Sequence, residues 1–291
     1  MSRSADVVLS NPDVRLVILS ASAGITNLLV ALADGSEPEK RADHLEDIRH
    51  IQYDIIARLT DSTVIREEID RMLENIAMLS EAASLATSPA LTDELVSHGE
   101  LMSTLLFVEL LRQRQVAVEW FDVRKVMRTN DRFGRAEPDT SALAELAQTL
   151  LAPRIEDAIV VTQGFIGSEG KGRTTTLGRG GSDYTAALLG EALNVSRIDI
   201  WTDVPGIYTT DPRVVPAAKR IDKSPLKKRP KWQPLGRKSC IRPLCYRQYA
   251  VISRCLSAPV KILRLAAPWS VTKPTTRRCS VLWHYAASRR C

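Results

Sequence analysis

Residues 158–193 read AIVVTQGFIGSEGKGRTTTLGRGGSDYTAALLGEAL. Ala158 to Thr162 is an apolar, β-branched run of strand length, and Ala186 to Leu193 has the composition of a helix. From Gly164 to Gly190 lie eight of the chain's 14 glycines. A strand, a glycine-rich loop and a helix in this order bring loop N–H groups and the positive end of a helix dipole to one place, which suits an anion. Residues 178–185 (GRGGSDYT) lead straight into the helix. There Arg179 offers a bidentate fork for a carboxylate or phosphate. Asp183 is either a cap or a group that orients an ammonium or a metal-bound phosphate. No Gly-Lys-Ser/Thr closes the loop and the Gly-x-Gly-x-x-Gly spacing is missing, so neither a Walker A motif nor a dinucleotide fingerprint is present. Lys171 to Leu177, rich in hydroxyls and cations, reads as a flexible lid.

Working outward, Val14 to Leu19 (VRLVIL) is a second strand, followed by the small-residue turn Ser20 to Gly24 and a helical run Thr26 to Leu32. Glu46 to Leu59 and Val64 to Ala86 carry apolar residues at three- and four-residue spacing, which predicts amphipathic helices covering a sheet or each other. Thr92 is the expected N-cap of a helix running to about Arg114, with Asp93 and Glu94 in its first turn. His98-Gly99-Glu100 interrupts its apolar face. Glycine inside a helix is unfavourable by about 1 kcal/mol relative to alanine. Gly99 therefore marks a close approach of backbone or ligand, or an exposed turn, and Glu100 is a candidate functional carboxylate.

Val116 to Phe121 is a further strand and Thr140 to Leu151 a helix. Ile198 to Asp203 reads as a strand ending in polar groups, then a turn at Val204-Pro205-Gly206. Ligands collect at the carboxyl ends of strands in open parallel sheets. Thr202, Asp203, Tyr208 and Arg213 are then placed for a nucleotide, with a ring for the base and a cation for phosphate, unless the segment is an ordinary surface turn. The alternation of strands and helices predicts an α/β fold with a mainly parallel sheet covered on both faces.

The net charge of +6 is a sum of two unlike parts. Residues 1–222 hold 23 Lys or Arg against all 34 Asp or Glu, a net −11, and no cysteine. Residues 223–291 hold 17 Lys or Arg, no acid and all five cysteines. The acidic part has no run of about 20 apolar residues and no signal-peptide pattern, so a soluble cytoplasmic protein without membrane contact is expected. The cysteines include no Cys-x-x-Cys pair, which argues against a structural zinc site. Trp232, Tyr246, Tyr249 and Trp269 among cations would give weak, salt-dependent affinity for nucleic acid, as any acid-free polypeptide has, and no evolved nucleic-acid partner is expected.

Several long segments resemble the aspartokinases of the amino acid kinase fold, especially their monofunctional, lysine-sensitive bacterial members. They are Ser20 to Leu29 (SASAGITNLL), Thr87 to Ser103, Phe121 to Asp139, Gln163 to Ser168 (QGFIGS), Gly172 to Leu188 and Asp199 to Val215. The resemblance implies an α/β/α sandwich, incomplete at both ends, and transfer of the ATP γ-phosphoryl group to L-aspartate, the first step towards lysine, threonine and methionine. It places Thr26, Glu100, Phe165, Arg179, Ser182 and Asp183 around aspartate, with Arg179 on a carboxylate, Glu100 on the ammonium, and Arg179 and Asp183 as the catalytic pair. Thr202, Asp203, Tyr208 and Arg213 would hold ATP, with Mg²⁺ accompanying the nucleotide and no protein-bound metal site of its own. Family members are homo-oligomers.

The chain also departs from that pattern. The family's initial Lys-Phe-Gly-Gly-Thr-Ser strand has no counterpart, and its regulatory ACT domains are not expected in residues 223–291. Leu235 to Pro243 (LGRKSCIRP) matches the family stretch Phe-Gly-Ala-Lys-Val-Leu-His-Pro-Ala read one base out of frame, and Ala266 to Val271 matches Gly-Gly-Thr-Leu-Val in the same frame. The expectation is a partial kinase domain over residues 1–222, followed by out-of-frame translation over residues 223–291, and a chain inactive as it stands. The alternative is a non-catalytic binding protein that uses the residual pocket and the basic tail.

Overall fold

The computed structural model describes residues 1–178, 180–202, 215, 217–219, 255–259 and 278–282. The elements in order are α1 (Ser2–Leu9), β1 (Val14–Leu19), α2 (Ile25–Ala33), α3 (Pro38–Ile56), α4 (Thr63–Leu85), α5 (Pro89–Gln113) and β2 (Val118–Phe121). Then come α6 (Thr140–Leu146), continued by a π turn over Ala147–Leu151, α7 (Arg154–Asp157), β3 (Ile159–Gln163), β4 (Ile166–Ser168) and β5 (Thr174–Thr176). The last are α8 (Gly181–Ala192), β6 (Arg197–Thr202), β7 (Cys255–Pro259) and β8 (Arg278–Leu282).

Six strands form one sheet in the order β2-β3-β1-β8-β6-β7. Every pairing in it is parallel. Parallel sheets need both faces covered, and β1 shows how the sequence provides for that. Leu16 and Ile18 join Val160 of β3 in the core shared with Leu143, Leu151, Ala186 and Leu189 of α6, the π turn and α8. Val17 and Leu19, one residue out of phase, join Val161 in a core with Ala5 and Val8 of α1 and Phe107, Val108 and Leu111 of α5. The two-residue period of a strand therefore feeds two cores from one segment. The amphipathic helices α3 and α4 form a third core with α2 and α5, built on Ile48, Ile56, Ile69, Leu73 and Ile76. Among the described residues no helix is long and apolar enough to cross a membrane.

Two sequence expectations need correction. The N-cap of α5 is Ser88, whose hydroxyl accepts from Leu91 N at 3.2 Å, with Pro89 opening the helix; Thr92 lies inside it. Proline in the first turn forfeits no helical hydrogen bond, so the start moves upstream. Asp93 accordingly lies beyond the first turn and is buried. The supposed lid over Lys171 to Leu177 contains a fixed strand, because β5 pairs antiparallel with β4 and Thr174, Thr175 and Thr176 are all buried. Residues 255–259 and 278–282 contribute β7 and β8, and β8 lies between β1 and β6. A β-ladder requires only backbone N–H and C=O groups, so composition alone does not forecast it.

Candidate functional site

The carboxyl ends of β1 and β3 meet the N-terminus of α8. Gly164 N, just past β3, donates to Leu19 O at 2.8 Å, which locks the two strand ends together. A Cβ on Gly164 would fall 2.5 Å from Ser182 Cβ and 2.7 Å from its Cα, so only glycine lets α8 start against β3. Ser20, following β1, donates through its hydroxyl to Ser182 Oγ at 2.8 Å. Phe165 has φ of 70°, in the left-handed region that non-glycine residues rarely enter. It is held there by its N–H donating to Thr185 Oγ1 at 3.1 Å and by its carbonyl accepting from Leu177 N at 2.8 Å. Backbone strain that is over-determined in this way clusters at functional sites.

Helix α5 crosses beneath α2 at Gly99. A Cβ there would sit 2.8 Å from Ala21 Cβ and 3.2 Å from Leu29 Cδ1, so the glycine marks close helix packing. The next residue, Glu100, is consequently carried to the end of β1. Its Oε1 accepts from Ala21 N at 3.2 Å, whereas its Oε2 is buried without any hydrogen-bond partner. Burial pushes the Glu100 carboxyl up to about 8, opposed by the Ala21 N–H. A carboxyl that stays neutral near pH 7 and has an idle oxygen is what a buried group awaiting a cation looks like. Ser103, one turn on, donates to Ser20 O at 2.9 Å and to Glu100 O at 3.0 Å, which fixes this turn to the strand end.

The structure thus brings together Glu100, Phe165, Ser182 and the first turn of α8, where Asp183 is buried. Thr26 lies in the first turn of α2, half-buried, next to Ile25, whose Cγ2 would meet a Gly99 Cβ at 3.3 Å. The backbone of Thr202 ends β6, at the carboxyl edge of the same parallel sheet. Arg179, Asp203, Tyr208 and Arg213 lie outside the described residues. Two residues escaped the sequence reading. Ser20 was visible as part of the small-residue turn, but its bond to Ser182 spans 162 positions. Asp93 looked like a helix-start acid because its partners are distant in sequence.

Among the described residues no three His, Cys, Asp or Glu side chains converge as metal ligands.

A model described as the amino acid kinase family matches residues 4–236. Over 222 residues the chain is 76% identical to lysine-sensitive aspartokinase 3 of Escherichia coli (strain K12), covering 76% of this chain and 49% of that protein. It is 34% identical over 205 residues to an aspartokinase of Chlamydia pneumoniae, covering 70% of this chain and 44% of that protein. The crystal structure of E. coli aspartokinase III in complex with aspartate and ADP is similar with a TM-score of 0.87 and 60% identity, covering 99% of this chain and 62% of that chain. The chain spans about half the length of these curated relatives.

Proposed function

The chain belongs to the amino acid kinase family, and on that premise we propose that its site is an aspartate kinase site. In the reaction, a side-chain carboxylate oxygen of L-aspartate bonds to the γ-phosphorus of ATP. The bond from that phosphorus to the bridging oxygen breaks, and ADP leaves with the electron pair, so that 4-phospho-L-aspartate is formed. Chemistry of this kind is mostly positioning and charge neutralisation. The observation that carries the reading is Glu100, whose buried, unpartnered Oε2 at the end of β1 suits the ammonium of an amino acid.

Thr26, Phe165, Ser182 and Asp183 surround the same substrate in this reading. The N-terminus of α8 faces its negative end, together with Arg179 as the fork for a carboxylate. Thr202, Asp203, Tyr208 and Arg213 take ATP, with Mg²⁺ arriving on the nucleotide phosphates, as it commonly does. The identity to E. coli aspartokinase 3 and the likeness to its complex with aspartate and ADP support both substrates. An acidic, cysteine-free residue 1–222 segment acting on ATP and an amino acid fits a cytoplasmic place of work.

For the chain as it stands the proposal is binding without turnover, with residues 1–222 carrying the site and residues 223–291 translated out of frame. Calorimetry with L-aspartate, and hydroxylamine trapping after incubation with Mg-ATP and L-aspartate, test this. Heat of aspartate binding without hydroxamate is expected. Absence of binding overturns the aspartate reading, and hydroxamate overturns the inactivity. Messenger sequencing tests the frame: a one-base correction after Asp222 that restores family sequence is expected, and an uninterrupted frame with no such correction refutes it.

A further inference from the structure

Asp93 is 1% exposed and makes four hydrogen-bond contacts across three segments. Its Oδ1 accepts from Gly134 N at 3.0 Å and Thr176 Oγ1 at 2.7 Å. Its Oδ2 accepts from Gly134 N and Thr176 N, each at 2.8 Å. Every donor here presents a proton, so the carboxyl acts only as an acceptor; burial nevertheless holds its pKa above the usual carboxylate range. The loop at Gly134 is sewn to β5 by a second bond, Ala136 N to Thr176 O at 2.8 Å, and Gly134 O would lie 3.1 Å from a Cβ on Gly178.

From Thr176 the contacts continue towards the site. Leu177 N donates to Phe165 O, and Gly181 N donates to Gly178 O at 3.0 Å. A Cβ on Gly181 would fall 2.7 Å from Phe165 Cδ2, so α8 begins hard against that ring. Ser182 then bonds Ser20, and Ala21 bonds Glu100. The ring closes through α5 itself, where Asp93 and Glu100 stand seven residues apart, on one face and about 10 Å along the axis. A helix is the stiffest side such a ring can have.

We propose that Asp93 is a positioning residue that sets the separation between Glu100 and the N-terminus of α8, and so the length of the bifunctional amino acid the site accepts. This rests on the reading of the site as an amino-acid pocket. An Asp93 that merely stabilised the fold would lower stability without altering discrimination between ligands of different length. An asparagine there keeps the shape but turns an N–H towards N–H and O–H donors, so β5 is released from α5. Displacements on the scale of 1 Å suffice for large losses in positioned chemistry.

The test compares the full chain with D93N, T176V and T176S, using L-aspartate and L-glutamate as probes in calorimetry and hydrogen exchange on the amides from Leu177 to Asp183. D93N is expected to weaken aspartate binding about tenfold or more and to narrow the preference for aspartate over glutamate, with T176V intermediate. T176S, which keeps the hydroxyl, restores wild-type behaviour. Exchange from Leu177 to Asp183 accelerates in D93N while amides of β1 and β3 stay protected. An unchanged preference with unchanged protection from Leu177 to Asp183 overturns the proposal, as does uniform acceleration over the whole chain. If the wild-type chain binds neither amino acid, the pocket reading fails, and exchange alone then decides on Asp93.

Discussion

Helix α5 carries two buried carboxyls seven residues apart, and they are treated oppositely. Asp93 receives donors from Gly134 and Thr176 on both oxygens. Glu100 receives one donor on one oxygen and leaves the other empty. The two have nearly the same exposure, so burial does not separate them. What separates them is that the backbone closes around Asp93, whereas around Glu100 it stops at the ends of β1 and β3. In the proposed reading the satisfied carboxylate belongs to the architecture and the half-satisfied one is held for a ligand.

The sharpest way to break this comparison is to neutralise Glu100. Its carboxyl is raised to about 8 in the folded chain, above its ordinary value of 4.5. The folded state therefore keeps a proton that the unfolded state gives up as the pH rises. Stability from this group is fully present below 4.5 and is lost as the pH climbs towards 8, at about 1.4 kcal/mol per pH unit. Urea unfolding should show Glu100→Gln gaining on wild type by roughly 4 kcal/mol between pH 5 and pH 8. A constant difference over that range would remove Glu100 from the role given to it. The same variant should bind L-aspartate about a hundredfold or more weakly, since one member of a buried charge pair is lost. Calorimetry in two buffers of different ionisation enthalpy should also find close to one proton released when wild type binds aspartate at neutral pH.

Asp93→Ala comes next. It strands two backbone N–H groups and the Thr176 hydroxyl, and should destabilise by about 3 kcal/mol in urea unfolding at neutral pH. If Asp93→Ala instead showed the pH dependence expected of Glu100, the contrast between the two carboxyls would collapse. Smaller still is Gly99→Ala. Its Cβ would press on Ala21 and Leu29, overpacking that should exceed the roughly 1 kcal/mol gained in helix propensity and leave a net loss of about 1 kcal/mol by thermal melting. Ser88→Ala, which removes the cap of α5 twelve residues before Glu100, should lower stability by about 1 kcal/mol and leave aspartate binding unchanged.

Much of the fold was legible in local pattern. Val14 to Leu19 and Ala158 to Thr162 announce themselves as buried strands because both are mainly apolar and β-branched, which is the mark of a covered parallel sheet, and the strands observed are Val14–Leu19 and Ile159–Gln163. Gly99 was legible as an anomaly but not as to its cause, since a helix interior says nothing of what crosses it. The glycine loop before α8 pointed to the site through chemistry, whereas Ser20 and Asp93 did not, because their partners lie 162 and 41 to 83 positions away. The threonine-rich segment misled for a related reason. Hydroxyls read as solvated until the donors and acceptors that bury them are known.

The sequence by itself determined the alternation of elements, the acidic character of residues 1–222 and the family to which the glycine loop and its neighbours belong. These depend on periodicity, charge and motif, which are properties of adjacent residues. Tertiary structure alone decided that Asp93 is satisfied and Glu100 is not, and that β8 stands between β1 and β6. Both outcomes turn on which backbone groups arrive opposite a given atom, and that is settled only when segments distant in the chain pack against one another.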